Sequence, residues 1–297
     1  MDELTTVFKE YFYFEILDKW GMPILLTLII SLFIAETIKQ LRKRKISRWK
    51  RIKTNLGVAA VALFVLRIAL IPALVLVAKL AEDVGMGLLN WIEFPRWLAY
   101  LVGFFLLDYG NYLWHIFNHK SQFLWRFHNV HHIDLDLDVT TAIRFHFGEV
   151  LFSVIFRGLM VLIIGAPYIL VLVYEIFFEA ATNFHHTNWR LPYRIEKMLS
   201  WFIVTPRMHG IHHSIVHRET NSNYSTFFNC WDRLHHTIRL NIRQDEIDIG
   251  VPSYRDPKEQ TLKNLLLMPF GKQRPWQLPD GQIPERKDKG NRNSMVP

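Results

Sequence analysis

All fourteen histidines of this 297-residue chain fall between His115 and His236, and the first 114 residues contain none. They come in short patterns: His115 and His119; His128, His131 and His132; His185 and His186; His209, His212 and His213. Spacings of three and four place side chains on one face of a helix, and neutral imidazole is a preferred ligand of iron, zinc and copper. One metal takes about four to six ligands, so this many imidazoles points to two metals. The i, i+3, i+4 triple occurs twice, at His128, His131, His132 and at His209, His212, His213. Gathering these rings without a metal would leave nitrogens unpaired at roughly 1–3 kcal/mol each. Coordination gives them a reason to be together.

The remaining polar residues sort around these boxes. Asp108, Asn111, His115 and His119 share one helical face, and a carboxylate at Asp108 is placed to orient an imidazole. Adjacent side chains on a helix diverge by about 100°. Of the neighbouring pair, His186 is therefore read as the ligand and His185 as a hydrogen-bonding neighbour that remains a further metal candidate. His146, in Phe145-His146-Phe147-Gly148-Glu149, is a second such candidate. His217, His235 and His236 read as surface or hydrogen-bonded residues.

The elements that must position these groups are apolar. Half the chain is hydrophobic and 14 % is aromatic. Apolar stretches run at 22–38, 56–80, about 97–114, about 150–165 and 167–184. The expected fold is all-α: a polytopic integral membrane helical bundle of about four to five apolar helices with a cytoplasmic histidine-rich helical cap. Nine Lys and Arg between Lys39 and Lys53 mark a cytoplasmic loop. The acidic N-terminus and residues 81–96 then lie on the far side, and every histidine cluster falls on the cytoplasmic side. The first apolar run starts at about Met22, unlike a cleavable signal peptide. Within the fourth and fifth stretches, Arg157 and Glu175 lie nine residues either side of a turn at Ala166. Antiparallel helices would bring them to one depth, and an ion pair is expected because an unpaired Arg there is expensive.

The domain reading is 1–94 for N-terminal membrane segments, 95–240 for the catalytic part and 241–297 for a C-terminal cytoplasmic tail. In that tail 262–270 could lie on the membrane surface, and the last fifteen or so residues read as a mobile end. The net charge of +8 is concentrated beside an apolar run, which suits a membrane rather than nucleic acid. It also suggests a positive face, including Lys120, Arg126, Arg190, Arg207 and Arg218, on which an acidic redox protein could dock. Cys230 is the single cysteine, which rules out an internal disulfide and a thiolate cluster.

The succession HIFNH, FHNVHH, FHHTNWRLP, VTPRMHGIHHS and NYSTFFNCWDRL, over about residues 95–240, resembles the fatty acid hydroxylase / sterol desaturase superfamily of membrane oxygenases. The resemblance implies a centre of two iron ions with dioxygen as co-substrate. Its ligands would be His115, His119, His128, His131, His132, His186, His209, His212 and His213. Asp108 matches the acidic position before the first box, and Asn223, Tyr224, Trp231, Asp232 and Arg233 match the Asn-Tyr…Trp-Asp-Arg motif. Asp108, Asn223 and Asp232 would then support the ligands from behind. Two departures stand out. The pterin-dependent alkylglycerol monooxygenase branch typically carries Glu directly after its first box, where this chain has Lys120, which weakens a pterin assignment. The third element lacks the His-x-x-x-His form of some sphingolipid fatty acid hydroxylases.

The function expected is a lipid monooxygenase or hydroxylase acting on a C–H bond of a fatty acyl, sterol or ether lipid drawn from the bilayer. Such bonds resist acid–base chemistry, so a redox metal must carry the hard step. Electrons would come from a separate small cytochrome or ferredoxin with its reductase, since the histidine-free N-terminal part offers no bis-imidazole haem site. A desaturase with the same centre and a zinc-dependent membrane hydrolase are the alternatives. The location expected is a bacterial inner membrane or the endoplasmic reticulum.

Overall fold

The computed structural model describes Lys19 and residues 21–287 and 290–296. The expectation for the acidic N-terminus falls on residues outside this range. The first apolar stretch is helix α1 (Met22–Ile38), opened by Pro23 in its first turn. The second is longer than its hydropathy suggested. Helix α2 (Arg48–Val65) passes through a π-helical turn (Leu66–Leu70) into α3 (Ile71–Asp83). The wide turn sits just before Pro72, which cannot donate its share of the helical ladder.

The third stretch becomes α4 (Arg96–Lys120), which extends past the apolar run and carries the first histidine pair on its last turns. Ser121 then breaks and restarts the chain, its hydroxyl accepting from the Leu124 amide at 3.3 Å, to open α5 (Gln122–His132). The hairpin is α6 (Phe147–Ile164) and α7 (Tyr168–His186). Gly165 ends α6 in the left-handed region, at φ 68°, and Pro167 precedes α7. A Cβ at Gly165 would lie 2.7 Å from the Met86 carbonyl, so two backbones pass at a distance only glycine allows.

Leu70, Leu74, Leu107, Val161, Leu170 and Tyr174 form one buried cluster that holds α3, α4, α6 and α7 together. Outward from it, Ile24, Ile30, Phe64, Ile68, Leu76, Ile155 and Ile163 are all more than half exposed. An apolar exterior of this extent belongs against lipid. Two helical stretches, Arg48–Trp91 and Phe147–Ile164, are long and apolar enough to cross a membrane, and Met22–Ile38 is shorter. Arg157 pairs with Glu175 across the α6–α7 hairpin and stacks 5.0 Å over Phe178.

Three sequence expectations change. The basic segment 39–53 is not simply a charged face. Lys43, Lys45, Lys50 and Lys53 are exposed, but Arg42 and Arg51 are buried. Arg51 reaches Asp134 at 2.7 Å and Asp138 at 2.6 Å, and Arg48 pairs with Glu36. The planar guanidinium binds carboxylates in pairs where ammonium remains hydrated, so the arginines were drawn inward. Burial by itself would raise the Asp134 carboxyl, but Arg51 and Arg144 beside it hold it well below the usual carboxylate range. Arg207 is likewise buried, against Glu196 at 2.9 Å.

The C-terminal end is tied down rather than left free. Met295 packs with Val204, Met208, Ile238 and Leu240, and the Leu240 amide donates to the Arg292 carbonyl at 2.7 Å. One buried methionine and these backbone bonds outweigh the polar composition of the segment. Helix α8 (Pro206–His212) carries His209 and His212. Within the amphipathic piece, α9 (Leu262–Leu267) sets Leu265 into a core with Val58, Val130 and Ile133. One face therefore docks on the protein, while Leu267 and Phe270 stay exposed.

Candidate metal centre

Nine imidazoles converge from α4, α5, α7 and α8 into two adjoining groups. The first comprises His115, His119, His128, His132 and His212; the second comprises His131, His186, His209 and His213. Within each group one ligand atom per residue lies within 4.8 Å of the others. The two His-x-x-His-His boxes are split between the groups and interlocked. His132 stacks on His213 with ring centroids 4.4 Å apart, and His128 and His131 are 5.4 Å apart.

Hydrogen bonds fix which nitrogen faces inward. The Nδ1 atoms of His115, His186 and His212 lie 2.7, 2.7 and 2.8 Å from the carbonyls of Tyr224, Thr182 and Ser222. A carbonyl only accepts, so each Nδ1 carries the proton and each Nε2 is a bare lone pair. His128 Nδ1 donates in the same way to Glu149 Oε1 at 2.9 Å. The inward Nε2 atoms lie close: His186 to His209 at 2.9 Å, His186 to His131 at 3.0 Å, and His128 to His132 at 3.1 Å. Right-angled ligands on an ion with metal–nitrogen bonds of about 2.1 Å are separated by about 3.0 Å. His212 Nε2 is a buried lone pair with no donor near it, and His119 Nε2 is equally unpartnered. These residues fit two metal ions.

The electrostatics agree with coordination. Burial, and then the neighbouring imidazoles, push His131, His132, His209 and His213 well below the ordinary histidine value. The rings are neutral at pH 7, the form that binds metal. Phe145 stacks on His131 at 4.6 Å, excluding water from that side, and Trp125 lies 5.0 Å from His119. Trp201 takes no part in this shielding: it is 62 % exposed, with Arg233 over its ring.

The other candidates lie outside both groups. His146 is engaged on both ring nitrogens, Nδ1 accepting from the Gly148 amide at 2.9 Å and Nε2 3.1 Å from the Leu266 carbonyl. It caps α6 rather than offering a free donor atom. His185 turns Nδ1 to the Thr226 carbonyl at 3.1 Å while its ring packs 4.1 Å from His209. Asp108 touches no imidazole, contrary to the orienting contact expected of it. Its carboxylate accepts from Trp231 Nε1 at 2.8 Å, the Phe228 amide at 3.2 Å and Tyr174 at 3.2 Å. Two turns of helix carried it away from the ligands and into the loop that follows α8. In that loop Asp232 accepts from the Tyr224 and Ser225 amides at 2.8 and 2.9 Å, and Tyr224 supplies the carbonyl that holds His115. Asn223, at φ 52°, donates to the Met208 and Arg239 carbonyls and braces α8.

Glu149 was missed by the sequence reading as a support. It lies twenty-one residues from His128, and nothing in the local pattern links them. The backbone acceptors at Tyr224, Thr182 and Ser222 are invisible to sequence by nature.

A cavity of about 110 Å³ adjoins both groups through His115, His128, His131, His186 and His209. It runs past Asn118, Glu149 and Thr182 to Leu66, Leu70, Phe178, Arg157 and Glu179 among the apolar helices.

Residues 100–237 match the family model described as fatty acid hydroxylase. This stretch, just under half of the chain, resembles the fatty acid hydroxylase domain. The chain is similar to an ornithine lipid hydroxylase from Rhizobium tropici, 32 % identical over 54 % of this chain and 47 % of the relative. It is also similar to an alkylglycerol monooxygenase from Xenopus tropicalis, 30 % identical over 48 % of this chain and 30 % of the relative. A cholesterol 25-hydroxylase from Rattus norvegicus is 24 % identical over 56 % of this chain and 55 % of the relative. The chain thus spans between about a third and about half the length of these relatives. No solved structure gives a significant match.

Proposed function

We propose that this protein is a multi-pass membrane oxygenase that hydroxylates a C–H bond of a lipid, with its metal centre on the cytoplasmic side. The observation that carries this reading is the single cavity joining both imidazole groups to the apolar helices. Two iron ions held by the nine histidines would supply the reduction of dioxygen and the attack on the C–H bond. The named relatives are an ornithine lipid hydroxylase, an alkylglycerol monooxygenase and a cholesterol 25-hydroxylase, each named for a lipid.

The protein's own residues do the rest. Tyr224, Thr182, Ser222 and Glu149 hold ligand rings in one tautomer, so no proton need leave Nε2 when a metal enters. Phe145, stacked on His131, excludes water from that ring. Three acceptor atoms without partners, Asn118 Oδ1, Glu149 Oε2 and Thr182 Oγ1, belong to residues lining the cavity beside the imidazoles. Leaving them unpaired against a bare acyl chain would cost roughly 1–3 kcal/mol each. A lipid with hydrogen-bond donors at its reacting end, such as an amino-acid headgroup, suits them better than a plain methylene chain.

Neither imidazole group contains a carboxylate, which favours the oxygenase over a zinc hydrolase, whose catalytic sites commonly mix His with Glu or Asp. Purified, iron-loaded protein should be given candidate lipids, a one-electron donor and isotopically heavy dioxygen, then analysed by mass spectrometry. Hydroxylation adds one heavy oxygen atom; desaturation removes two hydrogens and adds none. Lipid unchanged, with or without reductant, for amino-headed, ether and sterol lipids alike would refute the reading.

A further inference from the structure

Seven of the nine clustered imidazoles are at most 2 % exposed; only His115 and His119 are more open. His115 lines the lipid-side cavity. His119 lines a second cavity of about 120 Å³, which shares no residue with the first. Its walls are Lys120, Gln122, Trp125, His217, Asn221 and Trp276, with Thr220 beneath. Lys120, Gln122 and His217 are exposed, so this cavity opens to water. A continuous aromatic path crosses it. His217 packs 5.2 Å from Trp276, Trp276 lies 6.0 Å from Trp125, and Trp125 lies 5.0 Å from His119 and 5.3 Å from His132. Trp276 is held in place by its Nε1–H, which donates to the Ile215 carbonyl at 2.9 Å.

We propose that Trp276 and Trp125 form the electron entry path to the metal centre, used by an acidic one-electron redox protein docking over this second cavity. The proposal rests on the oxygenase reading above. Each passage moves one electron from the reduced donor to a ferric ion, giving ferrous iron and oxidised donor. No bond forms or breaks, neither tryptophan changes oxidation state, and two passages supply one turnover. Three observations support the placement. The first cavity runs between the apolar helices, whose outer faces suit lipid rather than a soluble donor. His119 offers the other route from a ligand ring towards water. Finally, the rim carries Lys120 and no carboxylate, and exposed Lys272 lies four residues before Trp276, which favours an acidic partner.

The test is reduction of the iron-loaded full chain in detergent, followed anaerobically by loss of ferric absorption in stopped flow. A reduced plant-type ferredoxin serves as the acidic protein donor and dithionite as a small diffusing one. Trp276→Leu should slow reduction by ferredoxin at least about tenfold, with iron content and the dithionite rate unchanged. Trp276→Phe should retain most of the rate, and Lys120→Glu should slow ferredoxin selectively at low ionic strength. Trp125→Leu tests the inner step under the same iron control. An unchanged ferredoxin rate in Trp276→Leu overturns the proposal, as does equal slowing with both reductants. Those outcomes leave the oxygenase reading standing; a chain that binds no redox-active iron removes both.

Discussion

Replacing Glu149 separates a designed metal centre from a packed cluster of histidines. Its Oε1 accepts the His128 Nδ1–H at 2.9 Å, and the residue is only 5 % exposed. A hydrogen bond to a charged, buried acceptor contributes about 1.5–3 kcal/mol, and losing such a partner typically lowers metal affinity about 10- to 100-fold. Glu149→Gln keeps an oxygen that can accept but removes its charge, which roughly halves the bond; about a tenfold loss is expected. Glu149→Leu removes the acceptor and should approach the hundredfold limit. His128 belongs to one imidazole group only, so a single metal should weaken while the second, held by His131, His186, His209 and His213, stays near its original affinity. Competition against a chromophoric chelator, with the detergent-solubilised chain, reads both dissociation constants. Equal weakening of both metals, or no weakening in Glu149→Leu, would refute the reasoning.

Three further outcomes follow from the same contacts. Glu175→Gln should lower detergent stability by about 3 kcal/mol by stranding Arg157, whereas replacing both partners with Leu should cost less; equal melting temperatures for single and double variants would deny the pair. Asp134 has a folded pKa below its unfolded value, so its stabilisation is present above about pH 4 and fades as pH falls further. Asp134→Asn should therefore be less stable at neutral pH and lose less stability between about pH 4 and 2, as urea titrations at each pH would show. Gly87 has φ 102°, and a Cβ there would lie 2.3 Å from the Gly165 amide nitrogen. Gly87→Ala should cost on the order of 3 kcal/mol, while Gly85→Ala, with no atom within 4 Å, should cost only its backbone strain.

Much of this protein could be read from local pattern. Apolar run length located the helical segments, because burying or lipidating a helix requires a continuous apolar surface. Histidine spacing assigned the boxes, because three- and four-residue intervals present rings on one face. The depth match of Arg157 and Glu175 followed from helical rise alone.

What the pattern could not contain was the partner of each side chain. Arginines between Lys39 and Lys53 looked like surface charge, yet Arg51 found Asp134 eighty-three residues away. Met295 looked like part of a loose end until a pocket of Val204, Met208 and Leu240 was there to receive it. His146 was a further metal candidate until the fold turned both its nitrogens to backbone atoms. The tautomer of each ligand depended on carbonyls at Tyr224, Thr182 and Ser222. Sequence determined which residues could bind metal and which segments could enter a membrane, since both depend on composition and short-range period. Tertiary structure alone decided which nitrogens converge, which carboxylate holds them, and which ring faces water, because those are distances between parts of the chain that have no local relation.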